Sequence, residues 1–142
     1  HDMYELVSLL RQSRYLGTSR YHAMVCSMPA GVPSLGVSMD ERIQNLMADR
    51  DQSDLCFSTG DPALEERVFE GLRVLDRNGD ESTQRIRASL PVHLEAMGRM
   101  GISFEDRLLE RYPEFPKRDA PRRWSAYLPP LPRALSETLE AS

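Results

Sequence analysis

Residues 15–37, YLGTSRYHAMVCSMPAGVPSLGV, constrain the fold more than any other stretch of the chain. Tyr15-Leu16-Gly17 is an apolar run too short for a helix and reads as a buried strand. Thr18 or Ser19 is placed to cap a helix running from about Arg20 to Ala30. Pro29 falls near the end of that helix, where few backbone bonds remain to be lost, and Gly31 follows as a C-cap able to take positive φ. Pro33 fixes the turn, and Ser34-Leu35-Gly36-Val37 reads as a second buried strand. Such a strand-turn-helix-turn-strand unit is half of a nucleotide- or phosphate-binding domain.

The flanking pattern supports it. Asp2 caps an amphipathic helix over 3–13. Asp40 opens another, to Arg50, with Ile43, Leu46 and Met47 inward. Leu55-Cys56-Phe57 reads as a third strand, ended by Ser58-Thr59-Gly60. Asp61-Pro62 opens a helix in the favoured order of cap then proline. It runs to about Leu75 with Leu64, Val68, Phe69, Leu72 and Leu75 on one face, and Asn78-Gly79-Asp80 ends it. Helices and strands alternate to this point, which predicts an α/β fold with a parallel sheet. From Glu81 no strand signal returns. Ile86, Leu90, Leu94 and Met97 form a helical stripe through Pro91, which is expected to kink it. Ser103 caps a helix over 104–112, residues 113–132 read as a Pro-rich extended tail, and 133–140 as a short last helix.

The chain has 142 residues, enough for one domain with a real core. Its net charge is −4, and its cations, all arginine but for Lys117, are scattered among acids. Neither gives reason to expect a nucleic-acid partner. No apolar run approaches the roughly 20 residues that span a bilayer. Cys26 and Cys56 have no metal-ligand spacing and read as small buried hydrophobes of a reducing compartment. The first residue is His1 and the first pattern is already that of mid-domain, so an N-terminal portion is expected to be missing.

In an open parallel sheet, ligands bind beyond the carboxyl ends of the strands. The turn Thr18-Ser19-Arg20-Tyr21-His22 lies there. A helix start offers free N–H groups to an anion, Arg20 can clamp the same anion, and His22 stands where an imidazole can exchange a proton. Read from spacing alone, Arg20 is equally a surface residue paired with an acid, and His22 a packed histidine. Tyr21 reads as rim packing. The Ser38-Met39-Asp40-Glu41-Arg42 stretch follows the second strand and shares the rim. Ser38 and Arg42 are its candidate contacts, against the simpler reading of Asp40 as a helix cap. Gly31-Val32-Pro33 is a second candidate contact and otherwise a geometric turn. His93 reads as solvated, and Trp124 and Tyr127 as anchors of the tail.

Ser19-Arg20-Tyr21-His22-Ala23, then Gly31-Val32-Pro33, then a strand followed by Asp40-Glu41-Arg42-Ile43, resembles the C-terminal signature of the polysaccharide pyruvyl transferase family. The resemblance covers about residues 3–60. It implies a Rossmann-like lobe similar to the C-terminal lobe of two-lobed transferases, over 1–79. A helical extension over 80–112 and the Pro-rich tail over 113–142 would follow. It implies transfer of a pyruvyl group from phosphoenolpyruvate to a pair of sugar hydroxyls, forming a ketal on a cell-surface polysaccharide. Phosphoenolpyruvate and a glycan or lipid-linked sugar are then the partners, with no further cofactor and no metal. His22 would be catalytic, and Ser19, Arg20, Gly31, Pro33, Ser38 and Arg42 would bind substrate. Arg42 departs from the pattern, since Lys is more usual there, and the two are not equivalent at a precise contact. The expected place is cytoplasmic, with peripheral attachment to the inner face of the membrane left open. Two other readings stand: a two-lobed nucleotide-sugar glycosyltransferase, against which the lack of an acid in 21–30 counts, and a non-catalytic fragment that binds a partner through its tail.

Overall fold

The computed structural model describes residues 2–119, 121–131 and 133–140. They form helix α1 (Met3–Gln12), strand β1 (Leu16–Thr18), α2 (Tyr21–Ser27), β2 (Ser34–Val37), α3 (Glu41–Ala48), β3 (Cys56–Phe57), α4 (Leu64–Arg111) and α5 (Arg133–Glu140). Short 3-10 turns at Met28–Ala30, Ser53–Leu55 and Trp124–Tyr127 complete the order. The chain divides into two compact units, His1–Ser89 and Leu90–Ser142, and α4 runs through the division.

The first unit is α/β, as the alternation of patterns predicts. Its sheet is parallel with the order β1-β2-β3, pairing Leu16 with Ser34, Thr18 with Gly36, and Val37 with Phe57. Crossovers that step in one direction with the same hand put both connecting helices on one face. The packing agrees. A Cβ on Gly36 would stand 2.7 Å from Ile43 of α3 and 3.5 Å from Met24 of α2. On the other face Gly71 of α4 lies against Phe57 and Leu35. Met24, Leu35, Ile43, Met47, Phe57 and Leu75 form the buried layers, and each full burial contributes about 1.5–3 kcal/mol.

Local chemistry sets the boundaries. The Asp2 carboxylate accepts from the Tyr4 and Glu5 N–H groups while Glu5 accepts from Asp2, a capping box. None of α1 is fully buried. Asp40 caps α3 by accepting from the Arg42 N–H. At the other end of α3, the N–H of Gln52 reaches the Met47 carbonyl and that of Asp51 reaches Ala48. Asp51 takes φ 53 in this left-handed cap, where glycine is usual. Gly31 has φ 70, as its expected capping role requires.

Some expectations need correction. Helix α2 begins at Tyr21, not Arg20, and ends at Ser27, because the Thr18 hydroxyl accepts the Arg20 N–H and leaves Arg20 extended (φ −109, ψ 113). At Asn78 the backbone leaves helical geometry (φ −120, ψ 26), so α4 is two helices joined at a kink where Asn78-Gly79-Asp80 is expected to end the first, and the second runs on through Pro91. Phe69 is exposed, because the face of α4 against the sheet is the one that carries Gly71 and Leu75.

In the second unit the tail packs on α4 through two glycines. A Cβ on Gly98 would stand 2.3 Å from the Trp124 carbonyl oxygen, and one on Gly101 3.0 Å from the Tyr127 Cβ. The Tyr127 hydroxyl donates to Glu105, and Arg118 lies 5.0 Å over the Tyr127 ring. Trp124 and Tyr127 thus anchor the tail as the sequence suggests. His93 is half-buried rather than solvated, and its Nε2 has no partner among the described residues. No described helix is long and apolar enough to cross a membrane.

Candidate functional site

The carboxyl ends of the three strands deliver three short loops to one rim, at residues 19–20, 38–40 and 58–60. The first two are in contact. The Arg42 guanidinium binds Asp40 through two nitrogens, with Nε donating to Oδ1 at 3.0 Å and Nη2 to Oδ2 at 2.6 Å. It then lies 5.3 Å over the ring of Tyr21 from the neighbouring loop. The Tyr21 and His22 rings meet edge to face at 5.6 Å and 79°. A chain of contacts therefore runs from Asp40 through Arg42 and Tyr21 to His22. The bonds from Arg42 hold the Asp40 carboxyl below its ordinary range, and Asp40 in turn raises Arg42.

Ser38 shapes this loop rather than facing out. It is buried, its N–H donates to the Phe57 carbonyl, and its hydroxyl accepts the Asp40 N–H at 2.8 Å. Ser19, Arg20 and His22 are exposed. Among the described residues the Arg20 guanidinium has no ion-pair or hydrogen-bond partner, so its five donors face solvent. Beside β3, a hollow of about 330 Å³ is lined by Gln44, Ser53, Cys56, Phe57, Ser58 and Arg67. Burial raises the Cys56 thiol there, and Arg67 stacks 5.0 Å over Phe57 while paired with Asp61.

The site residues expected from the sequence therefore separate. Ser19, Arg20, His22, Ser38 and Arg42 share the rim. Gly31 and Pro33 do not: they precede β2, at the amino end of the sheet, roughly 10 Å away along the strand. Both are buried, and Gly31 accepts a hydrogen bond from the Thr83 hydroxyl. Their work there is on the backbone turn.

Two groups escaped the sequence reading. Asp40 was legible as a cap but not as the partner of Arg42, although an acid two residues before an arginine at a helix start is a usable signal. Arg50, just after α3, is 2% exposed and donates from Nη1 to the Ser34 hydroxyl at 3.2 Å. Its Nε and Nη2, and both amide atoms of buried Gln52, find no protein partner among the described residues. Burial pushes the Arg50 guanidinium down to about 10. Nothing in its spacing marks it. Among the described residues no three His, Cys, Asp or Glu side chains gather as metal ligands do. No protein-family model, no curated protein and no solved structure matches the chain.

Proposed function

We propose that this chain forms one Rossmann-like lobe of a two-lobed polysaccharide pyruvyl transferase, using phosphoenolpyruvate as donor and a sugar diol as acceptor. The observation that carries the reading is the Arg20 guanidinium, without a partner among the described residues, beside exposed His22 on the carboxyl rim of a parallel sheet. These two belong to the Ser-Arg-x-His-Ala run that gives the resemblance. An arginine with no internal acid is free to hold the donor's carboxylate or phosphate bidentately. Arg42 is already held by Asp40 and acts on the site through Tyr21.

The reaction asks for what such a rim offers. The methylene carbon of phosphoenolpyruvate takes a proton, leaving a cationic carbon that one sugar hydroxyl attacks as it loses its own proton. The bond to phosphate oxygen breaks with its electron pair on oxygen, and the second hydroxyl closes the ketal, its proton leaving with phosphate. His22 moves protons in this sequence, and Arg20 holds the donor's charge. The acceptor would meet the second lobe, which this reading requires as the other wall of the cleft. The reading implies a cytoplasmic enzyme.

The test uses this chain together with its second lobe. Phosphoenolpyruvate is expected to raise the melting temperature more than nucleotide sugars do, and Arg20→Ala to abolish the rise. Phosphate release from phosphoenolpyruvate, over a panel of sugars, then reports turnover. His22→Ala is expected to keep the thermal shift and lose the release. Stabilisation by nucleotide sugars alone would sink the reading, and turnover surviving in His22→Ala would make that histidine structural.

A further inference from the structure

The two helices of α4 meet at Asn78, and Gly79 follows. The chain has one other asparagine, Asn45, which lies inside α3 and is followed by Leu46. Both asparagines are exposed, but their backbones differ. In a regular helix the N–H after an asparagine is donated to the carbonyl four residues back, and the backbone is fixed. At Asn78, ψ is 26 rather than about −42, which turns the peptide between Asn78 and Gly79 by about 70° from its helical orientation. Gly79 adds no side chain to hinder that peptide, and a Cβ there would stand 3.8 Å from Pro33 Cγ, an ordinary contact. The Asn78 side-chain amide has no partner among the described residues. Asn78 lines a hollow of about 100 Å³ and Gly79 another of about 220 Å³, so both are open to water.

We infer that Asn78 is a site of spontaneous covalent modification in the folded protein, at which the side-chain amide converts through a cyclic imide to aspartate and isoaspartate. Asparagine is one of the chemically labile side chains that limit proteins at high temperature. The Gly79 backbone nitrogen loses its proton and attacks the Asn78 side-chain carbonyl carbon. The new C–N bond closes a five-membered succinimide, the bond from that carbon to the amide nitrogen breaks, and the nitrogen leaves with a proton as ammonia. Water then opens the ring at one of its two carbonyls. Opening at the side-chain carbonyl gives aspartate. Opening at the backbone carbonyl gives isoaspartate, in which the main chain runs through the former side chain and is one carbon longer. That carbon is inserted at the kink. Beyond it, Thr83 donates to the Gly31 carbonyl and Ile86 is fully buried, while Leu75 is buried before it. A longer backbone between them moves these contacts out of register, so conversion is expected to loosen the amino end of the sheet. The modification is independent of the pyruvyl transfer proposed above.

The test holds the full chain, folded, in warm and mildly alkaline buffer. Peptide mass mapping follows residues 78 and 45, and methylation by an isoaspartyl methyltransferase reads isoaspartate. Conversion of Asn78 with Asn45 intact is expected, faster at higher pH because the attacking nitrogen must lose its proton. Gly79→Ala, whose methyl group has room, is expected to slow conversion severalfold. Asn78→Gln, which would have to close a six-membered ring, is expected to abolish it. Circular dichroism verifies that each variant folds. The converted protein is expected to unfold at lower urea than fresh protein. Asn78 that stays intact in the folded chain, while it converts in the same chain unfolded in urea, would overturn the inference. So would Asn45 converting as fast as Asn78, or Gly79→Ala converting like the parent. A converted protein with the midpoint of fresh protein would overturn the effect on the sheet.

Discussion

The two ends of the parallel sheet carry two parts of the 15–37 stretch, and they are built in opposite ways. At the amino end, Gly31, Pro33 and Ser34 are buried, Thr83 donates to the Gly31 carbonyl, and the Arg50 guanidinium is shut beneath Ser34. At the carboxyl end, Ser19, Arg20 and His22 face solvent, and the Arg42 charge is held by Asp40 at the surface. The contrast teaches that residues close together in sequence need not meet in a site. Gly31 and Pro33 set the turn that returns the chain into β2, and Arg20 and His22 stand where that return leaves the rim open.

If this division is right, injury to the amino end costs stability and spares ligand binding, while injury to the rim does the reverse. Gly31→Ala carries the largest expected effect. At φ 70 an alanine is strained, and its Cβ would stand 3.0 Å from Thr83 Cγ2 and 3.1 Å from Arg87 Nε. Strain and crowding together are expected to cost about 2–3 kcal/mol. Urea denaturation measures the loss, and the thermal shift given by phosphoenolpyruvate should persist in the surviving folded protein. Arg20→Ala, at an exposed position whose side chain has no partner among the described residues, should change stability by less than about 0.5 kcal/mol. A Gly31→Ala protein of parental stability that no longer responds to the donor would break the comparison.

Arg50→Met should act in the opposite direction and somewhat more weakly. The folded state holds the guanidinium near 10, well below its ordinary value, because burial disfavours its charge. A base with a lowered folded value releases its proton earlier in the folded than in the unfolded chain. Stability therefore rises as pH climbs from about 10 toward the ordinary arginine value, and below 10 the full penalty is present. A methionine of similar length removes the charge and the unpartnered N–H groups, and is expected to stabilise by about 1–2 kcal/mol at pH 7. The midpoint in guanidinium chloride reports it. A loss of stability instead would show that the bond to Ser34 outweighs the cost of the buried charge.

Much of the frame was readable because each element has a local cause. Asp40 caps α3, Gly31 takes positive φ, and Leu35 and Phe57 sit in short apolar runs that can only be buried strands. The length of α4 was not readable. Asn-Gly-Asp marks the break at Asn78, where two helices meet at a kink, but nothing marked the run of the second past Pro91 and Ser103 to Arg111. The start of α2 moved by one residue because Thr18 captured the Arg20 N–H, a choice among hydroxyls that propensity does not rank. In the candidate site, Arg20 and His22 were legible from their place after a strand. The coupling of Arg42 to Tyr21 was not, since it depends on two loops from different strands coming within side-chain reach. Arg50 was invisible for a related reason: an arginine after a helix is ordinarily solvated, and only tertiary packing buries this one.

The smallest effect tests the rim itself. The Asp40 carboxyl is lowered chiefly by the side chain of Arg42, with the Arg42 N–H second. A depressed acid contributes stability above its unfolded value, near 3.8, and loses it as pH falls through the lower folded value. Asp40→Asn keeps an oxygen for the cap but removes the ion pair. Parent and variant should therefore differ slightly above about pH 4 and converge below it, and added salt should shrink the difference. Asp61 is also depressed, by the Ala63 N–H and by Arg67, so only the difference between the two proteins isolates Asp40. Above pH 4, loss of the pair should also free Arg42 from the Tyr21 ring and shift the ring resonances of Tyr21 and His22. A difference in stability that stays constant down to pH 2.5 would assign the role of Asp40 to the cap alone. The rim would then be organised by backbone geometry, as the amino end is, and not by charge.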